Sequence, residues 1–330
     1  MTRAAWLEGG ARLYVENARG RDPAYLIGET AVRDALGPEV EVTVRFDDQR
    51  DLEALRRATL FMGGKIDTAL LSANAPNLRL VHCTSAGVEP YLPLDWLPAG
   101  AVLTNSSGVH AAKVGEFGLM ALLMLNDRIP LFATNQRAHV WHRHLNGPIA
   151  GKRVLIHGVG ALGGAVAEKA RLLGIEVLGV RRGGGSHPHV DHMVTPERLG
   201  EVLPKADFLV VTCPLTDRTR GVIGAAELAA LKPGAGVVNL SRAAVMDYDA
   251  LADALERGHV SGAILDVFER EPLPASARWW DVPNLMVVPH VSADDPTSYI
   301  DRCLAILADN LRRAAEGLPL RNVVREDRGY

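Results

Sequence analysis

A glycine-rich stretch near the middle of the chain constrains the fold more than any other feature of the sequence. Residues 153–167 read RVLIHGVGALGGAVA, in which Gly158, Gly160 and Gly163 follow a short apolar run and precede a run of small residues. This order predicts a buried strand, a sharp turn whose backbone can approach a pyrophosphate, and a helix whose first N–H groups face the anion. Glycine-rich turns also reverse chains without binding anything, so the prediction of a dinucleotide site depends on the strand before and the helix after.

The residues that follow the next predicted strand indicate which dinucleotide is bound. Arg181 and Arg182 follow the strand predicted at 175–180. In a protein that binds NADH, an acidic residue at this position accepts hydrogen bonds from the ribose 2′-OH. Two guanidinium groups pair instead with a 2′-phosphate, and the small residues 183–186 leave room for it. A solvated basic loop is the alternative interpretation. The sequence therefore favours NADPH over NADH.

Composition and charge limit the classes of protein that remain. The chain has 330 residues, 48% of them hydrophobic and 23% charged, which is enough for two domains with separate cores. With 36 Lys and Arg against 39 Asp and Glu, the net charge of −3 gives no electrostatic basis for binding nucleic acid or an anionic membrane. The N-terminus lacks the apolar core of a signal peptide and no apolar run is long enough to cross a bilayer, which predicts a soluble, cytoplasmic protein.

Cysteine and histidine spacing argues against a metal site. Cys83, Cys213 and Cys303 are far apart, form no CxxC pair and lie in apolar patterns, so we expect buried free thiols. A local histidine cluster at 187, 189 and 192 lies in a Gly- and Pro-containing stretch without the helical spacing of metal ligands. We therefore predict no bound metal.

Short strand-like runs alternate with helical patterns, which is typical of parallel sheets with helices on both faces. In the first half, strands are predicted at 4–7, 40–45, 58–62, 78–83 and 102–104, and helices at 25–36 and 51–57. A long helix is expected at 111–126, after a cap-like turn at 106–108. In the second half, strands are predicted at 154–157, 176–180, 208–212, 236–240, 262–265 and 285–288, followed by a helix at 296–316.

This order of elements predicts two α/β domains, each with a doubly wound parallel sheet. Residues 106–295 are expected to form a Rossmann dinucleotide-binding domain, because six strands with the glycine turn after the first match that fold. Residues 1–105 and 296–330 are expected to form a smaller, flavodoxin-like substrate-binding domain, since the last helix has no strand of its own to cover. Two crossings of the chain would leave an active-site cleft between the domains.

Six segments outside the glycine turn occur in a characteristic order. They read TSAGVE (84–89), TNSSGVHAAKVGEFGL (104–119), CPLTDRTRGVIG (213–224), LKPGAGVVNLSRAAVMD (231–247), LDVFEREPLP (265–274) and NLMVVPHVSA (284–293). Together with the glycine turn they resemble the D-isomer-specific 2-hydroxyacid dehydrogenases over nearly the whole chain. The basic pair after the second strand of the nucleotide domain is most similar to the glyoxylate/hydroxypyruvate reductase branch.

The resemblance implies three catalytic residues, which are Arg242, Glu271 and His290. A 2-oxo acid must be held by its carboxylate while a hydride reaches C2 and a proton reaches the carbonyl oxygen. An arginine can contact both oxygens with a fixed fork of donors, and a histidine paired with a carboxylate can supply the proton. Taken separately, Arg242 could cap a helix, Glu271 could be a surface carboxylate and His290 a strand-end histidine. All three, however, follow predicted strands at the edge where ligands bind.

The resemblance also implies binding residues in both domains. The backbone N–H groups of Ser85, Ala86 and Gly87 would bind the substrate carboxylate, although a plain strand-to-helix turn explains the same residues. Lys65 could line this site or be solvated, and Trp141 could lie in a dimerisation arm or pack within the protein. The implied cofactor-binding residues are Gly158, Gly160, Ala161, Leu162, Gly163, Arg181, Arg182, Cys213, Pro214 and Asp266. Asp266 could alternatively orient Arg242.

These observations predict an NADPH-preferring enzyme, with NAD also possible, that reduces a small 2-oxo acid of the glyoxylate or hydroxypyruvate type. The product would be the D-2-hydroxy acid, with His290 as the proton donor, and we expect a homodimer. One alternative is a dehydrogenase of the same fold for another 2-hydroxy acid such as phosphoglycerate. The other is a non-catalytic, dinucleotide-sensing protein similar to a corepressor, against which the joint presence of Arg242, Glu271 and His290 argues.

Overall fold

Two parallel β-sheets, of five and seven strands, organise the residues that the structure describes, which are 10–326. The structure is a computed structural model. The chain divides into two compact units, one formed by the residues up to Val109 with those from Asp295 onward, the other by His110–Asp294. The predicted α/β class with two parallel sheets is confirmed. The cleft between the domains stays a prediction.

Within residues 10–109 and 295–326, the first unit contains a five-stranded sheet covered by four helices. All its strands are parallel, and β3 and β4 are buried along their whole length, as expected for a sheet with helices on both faces. The strands are β1 (Ala11–Asn17), β2 (Val40–Phe46), β3 (Leu60–Gly63), β4 (Leu80–Cys83) and β5 (Val102–Asn105), in the flavodoxin-like order β2-β1-β3-β4-β5. The helices are α1 (Glu29–Leu36), α2 (Leu52–Arg57), α3 (Thr68–Asn74) and the C-terminal α9 (Tyr299–Ala315).

The second unit contains a seven-stranded parallel sheet of the Rossmann type. Its strands are β6 (Arg153–His157), β7 (Glu176–Val180), β8 (His192–Val194), β9 (Phe208–Val211), β10 (Ala235–Asn239), β11 (Val260–Leu265) and β12 (Leu285–Val287), in the order β12-β11-β10-β9-β6-β7-β8. Its helices are α4 (Ala111–Asn126), α5 (Ile129–Arg137), α6 (Ala161–Arg171), α7 (Ala225–Ala230) and α8 (Tyr248–Glu256). The strand order reverses at β6, so a crevice for ligands is expected at its carboxyl end.

Helix α6, which begins at the glycine turn, is held in place by close packing against α4. A Cβ atom on Gly118 of α4 would lie 2.6 Å from Cγ2 of Val166, and one on Gly115 would lie 3.1 Å from the carbonyl oxygen of Ala165. These glycines let the two helix backbones approach each other directly. The buried face of α4 also contacts the strands β10 and β11, so the start of α6 is fixed relative to the sheet.

Several predicted elements differ from the structure. The strand predicted at 4–7 lies outside the described residues, and the first described strand is Ala11–Asn17. The helix predicted from residue 25 begins at Glu29, because residues 23–25 form a separate 3-10 turn. Strand β8 and helix α5 were not predicted; β8 has three residues, and α5 follows α4 after a short break.

A turn at 107–110 precedes α4, whose bounds are as predicted, but the capping role predicted for residues 106–108 was wrong. The residue that precedes the helix is His110, which makes no side-chain capping bond. Ser106 instead donates its hydroxyl to the Cys83 carbonyl (3.1 Å) and lies 3.1 Å from Nε2 of the buried His82. The Ser106 side chain therefore forms hydrogen bonds in the interior of the first unit and does not cap α4.

The three cysteines are buried free thiols, as predicted. Burial raises the pKa of Cys83 and Cys303 to about 11 and that of Cys213 to about 12, so all three are protonated at neutral pH. Among the described helices, none is by itself long and apolar enough to cross a membrane, and only α4 and α5 together reach that length, with a bend of 63° between them.

Candidate active site

The glycine turn between β6 and α6 has no space for side chains on its inner side. Gly158 has a φ of +107°, and a Cβ atom there would overlap the backbone of Cys213. A Cβ on Gly163 would overlap the Gly158 carbonyl and lie 2.7 Å from Oγ1 of Thr212. At Gly160, in contrast, no atom lies within 4 Å of the Cβ position. The backbone at the start of α6 therefore faces open space, which is what an approaching pyrophosphate requires.

The opposite wall of the turn comes from the end of β9. The Thr212 hydroxyl donates to the Gly158 carbonyl (2.9 Å), and Sγ of Cys213 lies 3.3 Å from Nδ1 of His157, the last residue of β6. Burial lowers the pKa of His157 to about 4 and raises that of Cys213, so this pair is uncharged at neutral pH. The buried Cys213 shapes the turn, whereas the following Pro214 is exposed.

The two arginines that follow β7 are exposed at the same edge of the sheet. The Arg181 carbonyl accepts a hydrogen bond from the N–H of Gly184 (2.9 Å), which folds the loop back after Arg182. The ring of His187, further along this loop, covers Gly164 of α6, where a Cβ would lie 2.7 Å from Nε2. The loop thus lies against the first turns of the helix, and Arg181 and Arg182 are exposed at its beginning.

These features fit a dinucleotide with a 2′-phosphate. The open backbone at Gly160 offers N–H donors for a pyrophosphate, and Arg181 and Arg182 offer cations one strand away. Ala161 is exposed at the start of α6, while Leu162 is half-buried and packs against the core of the unit.

His290 and Glu271 come together after neighbouring strands. His290 follows β12 with a φ of +55°, and its Nδ1 lies 2.7 Å from Oε2 of Glu271. The second carboxylate oxygen of Glu271 accepts a hydrogen bond from the Phe268 N–H (2.8 Å). The two side chains are 45% and 36% exposed, so a ligand can reach them. Because Nδ1 is engaged by the carboxylate, Nε2 is the ring nitrogen that can exchange a proton with a ligand.

Asp266, at the end of β11, positions the segment that follows His290. Its carboxylate accepts hydrogen bonds from the N–H groups of Val291 (2.9 Å) and Ser292 (3.1 Å) and from the Ser292 hydroxyl. Asp266 is only 2% exposed, and burial raises its pKa. Its predicted contact with the cofactor, and the alternative role of orienting Arg242, stay predictions.

Arg242 lies three residues beyond β10, on a turn that a buried asparagine stabilises. The Asn239 side chain accepts from the Ser241 N–H (3.0 Å) and donates to the Arg242 carbonyl (3.2 Å) and to the Tyr248 hydroxyl (3.0 Å). Arg242 precedes a 3-10 turn that its side chain does not cap, which removes the capping alternative; one of its Nη1 donors contacts the Ser241 carbonyl (2.9 Å). Sequence reasoning missed Asn239, although a polar residue ending an apolar strand was an available signal.

The strands β10, β11 and β12 are adjacent and parallel, so the residues that follow them share one edge of the sheet. Arg242, Glu271 and His290 all lie in these following segments. This edge is also the one at which the glycine turn leaves β6. The second unit therefore brings a hydrogen-bonded histidine–glutamate pair, an arginine and a candidate dinucleotide site to one side of its sheet.

In the first unit, the turn Ser85–Gly87 is separated from β4 by Thr84 alone and is half-buried. The Ser85 carbonyl accepts from the Ser106 N–H (3.2 Å), and the Ala86 carbonyl accepts from the Asn105 side chain (2.8 Å). These bonds fix the carbonyl side of the turn, which is compatible with anion binding by its N–H groups. Lys65, after β3, is exposed.

The segment that contains Trp141 has no helix or strand between 138 and 148. The Trp141 side chain is 94% exposed and that of Leu145 is 82% exposed. Trp141 therefore does not pack into the core of the unit.

Comparisons with known proteins match this geometry. Residues 119–292 match the family model described as "D-isomer specific 2-hydroxyacid dehydrogenase, NAD binding domain". The chain is similar to glyoxylate/hydroxypyruvate reductase B of Pectobacterium carotovorum subsp. carotovorum (strain PC1). The two are 33% identical over 270 residues, covering 79% of this chain and 83% of the relative.

Two solved structures with bound cofactor are also similar. The D-isomer specific 2-hydroxyacid dehydrogenase from Xanthobacter autotrophicus Py2, in complex with NADPH and MES, has a TM-score of 0.83 and 32% identity, covering 97% of this chain and 99% of that one. The NADPH-dependent glyoxylate/hydroxypyruvate reductase from Sinorhizobium meliloti, in complex with NADP and sulfate, has a TM-score of 0.79 and 28% identity, covering 97% and 100%.

Proposed function

The chain belongs to the family of D-isomer-specific 2-hydroxyacid dehydrogenases, and we propose that it is an NADPH-preferring reductase for a 2-oxo acid of the glyoxylate or hydroxypyruvate type. The predictions of an enzyme of this family and of an NADP cofactor are confirmed. It reduces a small 2-oxo acid with NAD(P)H. The single observation that supports the proposed chemistry most is the 2.7 Å contact between Nδ1 of His290 and Oε2 of Glu271.

The residues of the proposed site have different tasks. When bound, NADPH supplies the hydride. The Arg242 guanidinium binds the carboxylate and polarises the carbonyl oxygen of the substrate, because its rigid fork of donors fits two oxygens at once. His290 gives a proton from Nε2 to that oxygen, and Glu271 fixes the orientation of the ring and stabilises its charged form. The joint presence of Arg242, Glu271 and His290 argues against the alternative of a binding protein without catalysis.

The proposed cofactor contacts follow the edge of the second unit. The N–H groups of the turn Gly158–Gly163, including those of Ala161 and Leu162, bind the pyrophosphate, and Cys213 and Pro214 flank the adenosine. Arg181 and Arg182 bind the 2′-phosphate, which distinguishes NADPH from NADH. Support comes from the exposure of both arginines and from the NADPH and NADP in the two similar structures. We assign the dinucleotide to residues 106–295, and the substrate carboxylate to the turn Ser85–Gly87 within residues 1–105 and 296–330.

A steady-state comparison tests the proposed function. Purified protein is assayed with glyoxylate, hydroxypyruvate, pyruvate and phenylpyruvate, each with NADPH and with NADH. We expect kcat/KM for glyoxylate or hydroxypyruvate to be the highest of the panel and at least about 10-fold higher with NADPH, since each hydrogen bond to a charged group contributes roughly 1.5–3 kcal/mol. The double variant R181A/R182A should lose this preference while its kcat with NADH is unchanged. Absence of turnover with every pair of substrates would exclude the enzyme.

The exposed segment around Trp141 supports a homodimer. Val140, Trp141 and Leu145 are 51%, 94% and 82% exposed, and exposed apolar side chains that lie close together are typical of protein interfaces. Light scattering after size-exclusion chromatography should give about twice the mass of the chain for the wild type, and a smaller mass for the variant W141S/L145S. A monomeric wild type would contradict this part of the proposal.

A further inference from the structure

Arg21 lies at the carboxyl edge of the first unit's sheet, directly against a glycine. It follows β1 by four residues and is half-buried. A Cβ atom on Gly64 would overlap Nη1 of Arg21 and lie 2.8 Å from its Cζ. The same position is 2.9 Å from Oγ1 of Thr84, the residue that precedes the Ser85–Gly87 turn. The guanidinium and the threonine hydroxyl therefore meet over Gly64, beside the proposed carboxylate site.

Within residues 10–326, the Thr84 hydroxyl has no hydrogen-bond partner and the Arg21 guanidinium has no carboxylate partner. Thr84 is fully buried, and its Oγ1 makes no hydrogen bond there. No carboxylate in the same residues forms an ion pair with Arg21. The nearest acids along the chain have other tasks, because Glu16 is bound by both arms of Arg50 (2.8 and 3.1 Å) and Asp22 caps the turn that follows it.

Packing alone does not account for this arrangement. The Arg21 Cζ lies 5.6 Å from the ring centroid of Tyr25, so one face of the guanidinium contacts an aromatic ring. That contact satisfies none of the five N–H donors of an arginine. A half-buried cation and a buried hydroxyl without partners both destabilise the folded protein. A bound anionic ligand would give a partner to each of them.

We propose that Arg21 and Thr84 bind the carboxylate of the 2-oxo acid together with the backbone N–H groups of Ser85–Gly87. Arg21 supplies the charge and Thr84 a hydroxyl donor, and Gly64 is required because a side chain there would displace the guanidinium. This assignment rests on the proposed function. Arg21, in the first unit, is then a substrate-binding residue that favours anionic over neutral carbonyl compounds.

Substrate kinetics of Arg21 variants test the proposal. Glyoxylate is the probe, because its carboxylate is its only charged group. In Arg21→Ala we expect KM for glyoxylate to rise by about 10- to 100-fold with kcat within about twofold, as for a lost hydrogen bond to a charged group. Arg21→Lys, which keeps the charge, should recover part of the affinity, and the dissociation constant for NADPH should not change.

Arg19→Ala is the matched control. Arg19 lies on the same loop, but its guanidinium is half-exposed and already pairs with Asp48 at 2.9 Å. We expect its KM to equal that of the wild type. An equal rise of KM in both variants, or a loss of kcat with unchanged KM in Arg21→Ala, would overturn the proposal, because either result indicates a structural role for the loop.

A binding measurement separates this proposal from the proposed function. Oxamate, a non-reducible analogue that keeps the carboxylate and its neighbouring carbonyl, is titrated calorimetrically into the complex of each variant with NADP⁺. A 10-fold or greater loss of oxamate affinity in Arg21→Ala supports the anion site even if no 2-oxo acid is turned over. Unchanged oxamate affinity in Arg21→Ala, or no binding of oxamate to the wild type, contradicts the anion site even if turnover is observed.

Discussion

Two threonines that each directly follow a buried strand differ in what their hydroxyl groups bind. Thr212 follows β9 in the second unit, and its hydroxyl donates to the Gly158 carbonyl at 2.9 Å. Thr84 follows β4 in the first unit and is fully buried, yet its hydroxyl makes no hydrogen bond among the described residues. The first hydroxyl stabilises the turn that we propose binds the cofactor, whereas the second belongs to the site that we propose binds the substrate carboxylate. Among the described residues, the hydroxyl beside the proposed cofactor site is thus hydrogen-bonded within the protein, whereas the hydroxyl beside the proposed substrate site is not.

The glycines of the two edges differ in the same way. A Cβ on Gly158 or Gly163 would overlap backbone atoms, so these residues are required by the turn itself. A Cβ on Gly64 would overlap the far end of the Arg21 side chain. The proposed cofactor-binding turn is thus fixed by backbone contacts, whereas the proposed carboxylate site includes the Arg21 side chain, whose charge is complementary to the group that all 2-oxo acids share.

The largest effect is expected from Arg242→Ala. Loss of the guanidinium removes the donor that stabilises developing charge on the substrate oxygen, so kcat should fall by about 100- to 1000-fold. NADPH affinity, measured by fluorescence titration, should stay within about twofold because Arg242 is not one of the proposed cofactor-binding residues. The control Arg257→Ala alters a surface arginine that is 69% exposed, and it should keep normal kcat. Near-normal turnover of Arg242→Ala would exclude the assigned site.

The glycine turn allows a paired test of rigidity against open space. Gly158→Ala forces a Cβ into the Cys213 backbone at a φ of +107°, so we expect destabilisation by about 2 kcal/mol or more and loss of NADPH binding. Gly160→Ala has no neighbouring atom to displace, so its melting temperature should be unchanged while NADPH affinity falls about 10-fold. Gly200→Ala, which also has nothing within 4 Å, is the control without either effect. Equal stability of the Gly158 and Gly160 variants would contradict the description of the turn.

Acid should destabilise both units through one buried histidine in each. Burial lowers the pKa of His82 and of His157 from 6.5 to about 4. Between these values the unfolded chain binds more protons than the folded one, so stability is lost as the pH falls below 6.5. At pH 5 each histidine accounts for about 2 kcal/mol of this loss.

Single histidine variants apportion that acid sensitivity. Melting temperatures are measured at pH 7.5 and pH 5.0 for the wild type, His82→Gln and His157→Gln. Each variant should show a smaller drop between the two pH values than the wild type. At pH 7.5 His82→Gln should be the less stable, because His82 contacts Thr104 (2.9 Å) and Ser106 (3.1 Å), whereas Nε2 of His157 has no partner among the described residues. An unchanged pH dependence in both variants would refute the assignment.

The smallest effect comes from the two threonines themselves. Thr212→Val removes the bond to the Gly158 carbonyl and should cost about 1 kcal/mol of unfolding free energy. Thr84→Val removes no protein hydrogen bond, so its stability should be unchanged or higher, while KM for glyoxylate rises. Denaturant unfolding of both variants measures the contrast. A larger loss of stability in Thr84→Val would reverse the comparison of the two edges.

The residues that could be predicted are those whose structure depends on near neighbours in sequence. The bounds of α4 and the glycine turn are as expected, because an apolar run, small residues and glycines act over a few positions. The 2.7 Å contact of Glu271 with His290 agrees with the family pattern. Strand β8 escaped prediction because three residues carry too little periodicity.

Residues that meet only in the folded chain could not be predicted. Arg21, Gly64 and Thr84 come from three loops, and nothing in the local sequence of any of them indicates the other two. Asn239 is similar, since its contact with Tyr248 depends on how the segment after β10 turns back. The sequence pattern therefore predicts secondary-structure elements and motifs, whereas the contacts of isolated polar side chains can be identified only from the tertiary structure.

The stereochemistry of the product tests directly whether the protein is a D-specific, NADPH-dependent reductase. Hydroxypyruvate is incubated with the protein and NADPH, and the glycerate is separated on a chiral column while NADPH is followed by its absorbance. We predict D-glycerate alone, formed in a 1:1 ratio to the NADPH oxidised, as expected of a D-isomer-specific dehydrogenase. L-glycerate, a racemic product or glycerate formed without NADPH oxidation would contradict the account.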